Sequence, residues 1–435
     1  MGFRIFRGRA ELTTSTKSIY RHSGFLRFWS AVTISGIGGQ VTLIALPLTA
    51  VLTLHASPVQ LGLLAAAQTA PVIIVTPLAG VVADRFPVRL VNSLCDVARG
   101  LVLLIIPLLT VAHLISLSAL YFLAVILGSL KALADVAHHS MLPHIVSKEE
   151  IVPGNAAVNT AYSVTGVAGP GLGGLLVGLF TAPYALIVDS VSFLISGGLI
   201  SSLRTRPTDS KPARQSWWKM ASEGFKYLIR ERGLLALALC SGTTNLFIQA
   251  YSTVLVIYVV QSLGLLPVML GTVYACGAVG GMVGAALARR LAQRVDPPTL
   301  MLCSLAVTGT AFTALSTAAL FSSDAARIAV LIGGSFISTC STTIYNVHAV
   351  SSRQQLARRD MLGRVTASYR LLSHGTMPLG ALLGGLCASA LGPGPAIALS
   401  GTAIVVWIGT LFLTPFRDSQ RRAEEKSEPA AATAH

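Results

Sequence analysis

Apolar stretches of about 20 residues or more recur along the chain, separated by short polar breaks. A helix rises about 1.5 Å per residue, so roughly 20 apolar residues cross the ~30 Å hydrocarbon core of a bilayer with every backbone group bonded internally. The stretches run over 25–54, 58–82, 90–111, 116–141, 156–180 and 184–203. After a longer polar break they resume over 234–263, 267–289, 299–321, 325–350, 365–391 and 394–416. The pattern predicts an all-α membrane protein with twelve transmembrane helices in two six-helix bundles. Its parts are an N-terminal tail 1–24, a bundle 25–203, a middle loop 204–233, a bundle 234–416 and a C-terminal tail 417–435.

Composition fits a lipid-solvated surface. Hydrophobic residues make up 53% of the chain and charged residues 11%, against about 25% charged in soluble proteins, and mean hydropathy is +0.70. The net charge of +15 lies in short basic patches between apolar stretches, without the aromatic interleaving of a nucleic-acid face, so no nucleic-acid partner is expected. Cys95, Cys240, Cys276, Cys303, Cys340 and Cys387 all fall inside apolar runs, with no metal-ligand spacing, and read as small apolar residues. No metal or cofactor is expected, and the absence of nucleophile-elbow and phosphate-loop motifs argues against an enzyme.

Placement of the positive charges sets the expected orientation. The first 24 residues carry Arg4, Arg7, Arg9, Lys17 and Arg21 but lack a secretory-signal pattern, so the first span should stay in the mature protein. With the N-terminus in the cytoplasm, the cytoplasmic segments hold Arg85, Arg89, Lys148, eight Lys/Arg between Arg204 and Arg232, the Arg289–Arg294 group, the Arg353–Arg364 group and the basic C-terminal tail. The opposite side holds Arg327. This predicts a multi-pass protein of the plasma (inner) membrane with both termini cytoplasmic.

In the middle break, Trp217, Ala221, Phe225 and Leu228 recur at helical spacing while Lys219, Lys226 and Arg230 take other faces, the pattern of an interfacial helix or a plain tether. The two halves also look alike. Lys148-Glu149-Glu150 followed by Gly169-Pro170 and Gly173-Gly174 corresponds to Arg358-Arg359-Asp360 followed by Pro378, Gly380 and Gly384-Gly385. Such a parallel repeat is expected of a two-bundle transporter.

Between spans 2 and 3, Gly80, Asp84, Arg85 and Arg89 form a charged turn able to act as an electrostatic latch. The run resembles the G-x-x-x-D-R-x-G-R-R motif of the major facilitator superfamily, with Pro87 and Val88 as departures. In span 5, Gly166, Gly169, Pro170, Gly173 and Gly174 resemble the glycine element common in exporters of that superfamily; glycines at this spacing let helices approach closely, and the proline permits a bend. Ala45-Leu46-Pro47-Leu48, Asp135-Val136-Ala137 to Leu142-Pro143, Asp189 to Ser192-Phe193 and Glu223-Gly224-Phe225 resemble the branch holding macrolide-efflux proteins and the enterobactin exporter. The resemblance covers nearly the whole chain and implies the major facilitator fold and an exporting role.

Ionisable residues inside spans are functional candidates, since a charge at the bilayer centre costs roughly 2.5–3.5 kcal/mol on insertion scales. Lys131 and Asp135 share one face of span 4, with His138 and His139 a turn further on; together with Asp189 in span 6 they are candidates for proton coupling, or for a structural ion pair and packing. Asp96 and Arg99 in span 3 are expected to brace the Asp84 loop, and Arg370 in span 11 to pair with that loop or to reach the inner surface. The resemblance implies that spans 1, 4, 7 and 10 line a cavity, where Gln40, Asn245 and Gln249 could hydrogen-bond cargo or instead join helices. The expected activity is a monomeric exporter of a small amphipathic molecule (a drug, antibiotic or siderophore-like product) driven by proton antiport, with protons, cargo and the lipid bilayer as partners. A lipid or lysophospholipid flippase on the same fold, or a non-transporting scaffold, are the alternatives.

Overall fold

The structure is a computed structural model that describes residues 19–204, 217–358 and 361–412. No strand occurs among them. Helices α1 (Ser23–Leu48), α2 (Pro58–Thr69), α3 (Pro71–Arg85), α4 (Val88–Val111), α5 (Leu117–His139), α6 (Ile151–Phe180) and α7 (Ala182–Ser201) come first. Helices α8 (Trp217–Arg230), α9 (Arg232–Ile257), α10 (Pro267–Leu291), α11 (Pro297–Ser316), α12 (Asp324–Leu356), α13 (Leu362–His374), α14 (Met377–Leu391) and α15 (Pro393–Phe412) follow.

Eleven helical stretches among the described residues are long and apolar enough to cross a membrane. The expected twelfth stretch corresponds to α15, a shorter apolar helix over Pro393–Gly409. Proline opens many helices because its missing N–H is unneeded in the first turn, as at Pro58, Pro183, Pro267, Pro297 and Pro378. Ser57 and Gln60 add a reciprocal capping box to α2. Two expected spans are broken. The stretch 58–82 becomes α2 and α3, which restarts at Pro71, and 365–391 becomes α13 and α14, interrupted at Gly375–Thr376. At the second break the Thr376 hydroxyl donates to the Gly242 carbonyl at 2.7 Å.

By contacts the chain forms two units, Met1–Leu46 with Ile74–Ala213, and Pro47–Ile73 with Arg214–His435. Residues 47–73, placed by the hydropathy pattern with the first six spans, therefore group with the second unit. In unit 1, α4 is bonded to α7 through Ser93 to Gly197 O (2.9 Å) and Ser190 to Gly100 O (2.7 Å). Phe25, Phe28, Met141, Leu142, Ile145 and Leu203 gather in a buried cluster. In unit 2, a side chain added at Gly280 or Gly284 of α10 would run into the α12 backbone, and one at Gly62 of α2 would meet Ala381 and Gly385 of α14. Helices in lipid associate through such close backbone approach, because apolar burial gives little net gain there. Outward faces carry exposed residues such as Ile74, Phe122, Val152 and Leu320, a surface whose fitting solvent is hydrocarbon.

Candidate functional site

The glycine element of α6 faces α1. A Cβ at Gly169 would lie 2.5 Å from Gln40 Cβ, and one at Gly173 would lie 3.1 Å from Val41 Cα. Pro170 and Gly174 are buried on the same helix, whereas a Cβ at Gly166 would meet nothing within 4 Å. The second repeat does the same work in unit 2: a Cβ at Gly384 of α14 would lie 2.7 Å from the Ala250 carbonyl of α9, and one at Gly380 would strike Leu246. The repeated glycines are thus the surfaces on which a first helix of each half rests.

Polar groups are set around these contacts. Lys131 Nζ and Asp135 Oδ2 of α5 are 2.9 Å apart, with side chains 61% and 58% exposed. One turn on, the His138 ring lies 5.0 Å from the Phe28 ring of α1 and 6.3 Å from the Tyr162 ring of α6. The side chain of His139, at the end of α5, lies outside the described residues.

Asp189 of α7 is fully buried. It accepts hydrogen bonds from the Thr42 hydroxyl of α1 and, at 3.0 Å, from the Ser192 hydroxyl. Among the described residues no cation is within ion-pair distance of it. A side chain on Gly38 would collide with Asp189 and Ser192, so glycine there admits the carboxylate between α1 and α7. Thr42 was missed from sequence; its one signal was a polar residue two places after Gln40 in an apolar span.

Asp96 accepts from Ser196 at 2.6 Å and lies 3.9 Å from Arg99, whose guanidinium stacks 3.8 Å over the Phe193 ring. Their described partners are on α7, which they brace against α4. Of the loop motif, Gly80 and the Asp84 side chain lie outside the described residues, and Arg85 is exposed at the end of α3. Arg89 donates to Leu203 O at 2.6 Å and Arg27 to Ser202 O at 3.3 Å. Both arginines thus sit on carbonyls just past the C-terminal end of α7, where the helix dipole favours positive charge.

In unit 2, Asn245 Nδ2 donates to Ser373 O at 2.9 Å, joining α9 to α13. Gln249 is half-buried one turn further on, and Arg370 is exposed on α13. The middle-loop motif gains a concrete role. Glu223 pairs with Arg364 at 2.6 Å, and a Cβ on Gly224 would lie 2.6 Å from Arg364 O, so α8 is docked on α13. Side chains at Trp217 and Ala221 lie outside the described residues. Sequence reasoning also passed over Ser241, whose hydroxyl is bonded to those of Tyr345 and Tyr369. Among the described residues, no group of three or more His, Cys, Asp or Glu is placed to hold a metal.

Serial membrane-length helices, a glycine-packed repeat and ionisable groups buried within spans define a polytopic membrane protein of the solute-carrying kind. The chain belongs to the Major Facilitator Superfamily, whose family model matches residues 28–374. The multidrug efflux pump Tap of Mycolicibacterium fortuitum is 25% identical over 400 residues, covering 89% of this chain and 95% of Tap. The enterobactin exporter EntS of Escherichia coli O1:K1 / APEC is 25% identical over 401 residues, 92% of each chain. A crystal structure of a mutant of the nucleoside transporter NupG shares the fold with a TM-score of 0.74 at 12% identity, covering 91% of this chain and 99% of that one. This protein is therefore a membrane transporter with efflux pumps among its relatives.

Proposed function

We propose that the chain exports a small amphipathic molecule (a drug, antibiotic or siderophore-like natural product) by proton antiport with alternating access, acting as a monomer. It would sit in the plasma (inner) membrane with both termini cytoplasmic, the orientation that the one-sided Lys/Arg distribution supports. The observation that carries the coupling is the exposed Lys131–Asp135 pair, held at 2.9 Å inside a membrane-length helix. Protonating Asp135 removes one charge from α5 and frees Lys131, so a single proton changes the electrostatic cost of exposing that face to lipid or to a water-filled cavity. Asp189, buried with hydroxyl donors and with no cation at ion-pair distance among the described residues, is the second coupling candidate. The names of Tap and EntS, both exporters, support the direction of transport.

The test is gradient-driven transport in everted vesicles from a strain lacking its own pumps, run against a panel of antibiotics and siderophores with and without an uncoupler. Asp135→Asn should abolish gradient-driven export with the protein present at normal amount. Undiminished, uncoupler-sensitive export by that variant would remove Asp135 from the mechanism, and the same measurement on Asp189→Asn would then decide the second candidate.

A further inference from the structure

Unit 2 contains a cationic corner built from Arg353, Arg370 and His374. Arg353, in the last turn of α12, lays its guanidinium 4.6 Å over the Tyr369 ring of α13. Tyr369 is itself held in place, its hydroxyl bonded to Ser241 of α9, which also holds Tyr345. Arg353 Nε is buried and has no hydrogen-bond partner among the described residues. Arg370, next in sequence to Tyr369, is exposed and has no ion-pair partner among the described residues. His374 lies one turn beyond Arg370 on the same helix face, its Nδ1 3.4 Å from the Met377 sulfur.

Little in unit 2 can neutralise this corner. From Trp217 to Phe412 the carboxylates are Glu223, Glu231, Asp296, Asp324 and Asp360; Glu223 is spent on Arg364, and Glu231 stands at the start of α9. Asp296 caps α11 and Asp324 pairs with Arg327, while Asp360 lies outside the described residues. A guanidinium held by an aromatic face instead of a carboxylate keeps its fork of donors available, and that fork matches a carboxylate, phosphate or sulfonate in two-pronged fashion.

We propose that Arg353, Arg370 and His374, on the platform of Tyr369, bind the anionic head of the amphipathic cargo, so that the exporter prefers anionic amphipaths to neutral ones. The word cargo rests on the export reading; anion binding by the corner does not.

The probes are 1-anilinonaphthalene-8-sulfonate and its uncharged analogue N-phenyl-1-naphthylamine. Their binding to the purified full chain is measured by equilibrium dialysis in phosphatidylcholine nanodiscs, and their transport in proteoliposomes under a proton gradient. The sulfonate should bind saturably, about tenfold more weakly in Arg370→Gln and weaker still when Arg353→Gln is added, since each arginine supplies a charge-assisted hydrogen bond. Binding of the neutral probe should not change. Because Arg353 packs on Tyr369, Arg353→Lys is measured beside it and should retain part of the sulfonate affinity; Arg370→Gln alters an exposed side chain that has no ion-pair partner among the described residues, and should keep the fold. Sulfonate affinity within twofold of wild type in Arg370→Gln and in the double variant overturns the proposal. So does loss of the arginine-dependent binding when phosphatidylglycerol is added, which would assign the corner to a lipid headgroup. Arginine-dependent sulfonate binding with no gradient-driven transport of either probe supports the anion site and defeats the export reading. Transport of the neutral probe with arginine-independent sulfonate binding does the reverse.

Discussion

Substituting Gly169→Ala adds one methyl group to α6 where it crosses α1. The new Cβ would lie 2.5 Å from Gln40 Cβ and 2.6 Å from Gln40 Cγ, about 1 Å inside the ~3.5–4.0 Å of ordinary carbon contact. A rotamer change cannot move Gln40 Cβ, so the helices must separate. Overpacking of this kind costs about 1–3 kcal/mol, and the better helix propensity of alanine returns about 1 kcal/mol, leaving a net loss of up to ~2 kcal/mol. Gly166, one turn earlier, supplies the control: with nothing within 4 Å of its added Cβ, Gly166→Ala should be neutral or stabilising by up to about 1 kcal/mol. Reversible unfolding in mixed dodecyl maltoside and dodecyl sulfate micelles measures both. Moving the glycine to the other helix, as Gln40→Gly with Gly169→Ala, removes both clashing atoms and should recover at least ~1 kcal/mol as a coupling energy. Equal signs at 166 and 169, or a strictly additive double variant, would refute the close crossing. The recovered variant also lacks the Gln40 amide, so its transport activity tests that amide for cargo binding separately from folding.

Loss of either partner of the Glu223–Arg364 pair should loosen α8 from α13 by roughly 0.2–1 kcal/mol, since both side chains are partly exposed. Glu223→Ala, Arg364→Ala and the double variant should therefore be cleaved faster by trypsin after Lys226 and Arg230, and to a similar degree; wild-type cleavage rates would rule out the dock. Asp189→Ala strips the acceptor from the Thr42 and Ser192 hydroxyls inside unit 1 and should cost about 1–3 kcal/mol. Asp189→Asn, nearly the same shape, should cost less, and the opposite ranking in micelle unfolding would count against the hydroxyl-lined pocket.

The spans were legible because hydropathy needs no partner: a run such as 90–111 reports its solvent residue by residue, and α4 occupies Val88–Val111. The breaks at Pro71 and at Gly375–Thr376 were not, since a hydropathy window averages across a bend and both stretches remain apolar. Polar contacts divide by sequence distance. Lys131 with Asp135 could be read from helical spacing, whereas Arg89 finds Leu203 O, Asn245 finds Ser373 O and Thr42 finds Asp189, partners 114, 128 and 147 residues away. Such pairs depend on which helix lies beside which, and no local pattern records that. The glycine stripes were visible as stripes; that Gly169 rests on Gln40 and Gly384 on Ala250 became visible only with neighbouring backbones in place.

Docking of α8 on α13 also couples two helices of opposite character, one strongly amphipathic and one that leads into an apolar span. Since the Glu223–Arg364 pair and the close approach of Gly224 to Arg364 O fasten them together within unit 2, a slide of α13 along its own axis must either carry α8 with it or part the ion pair.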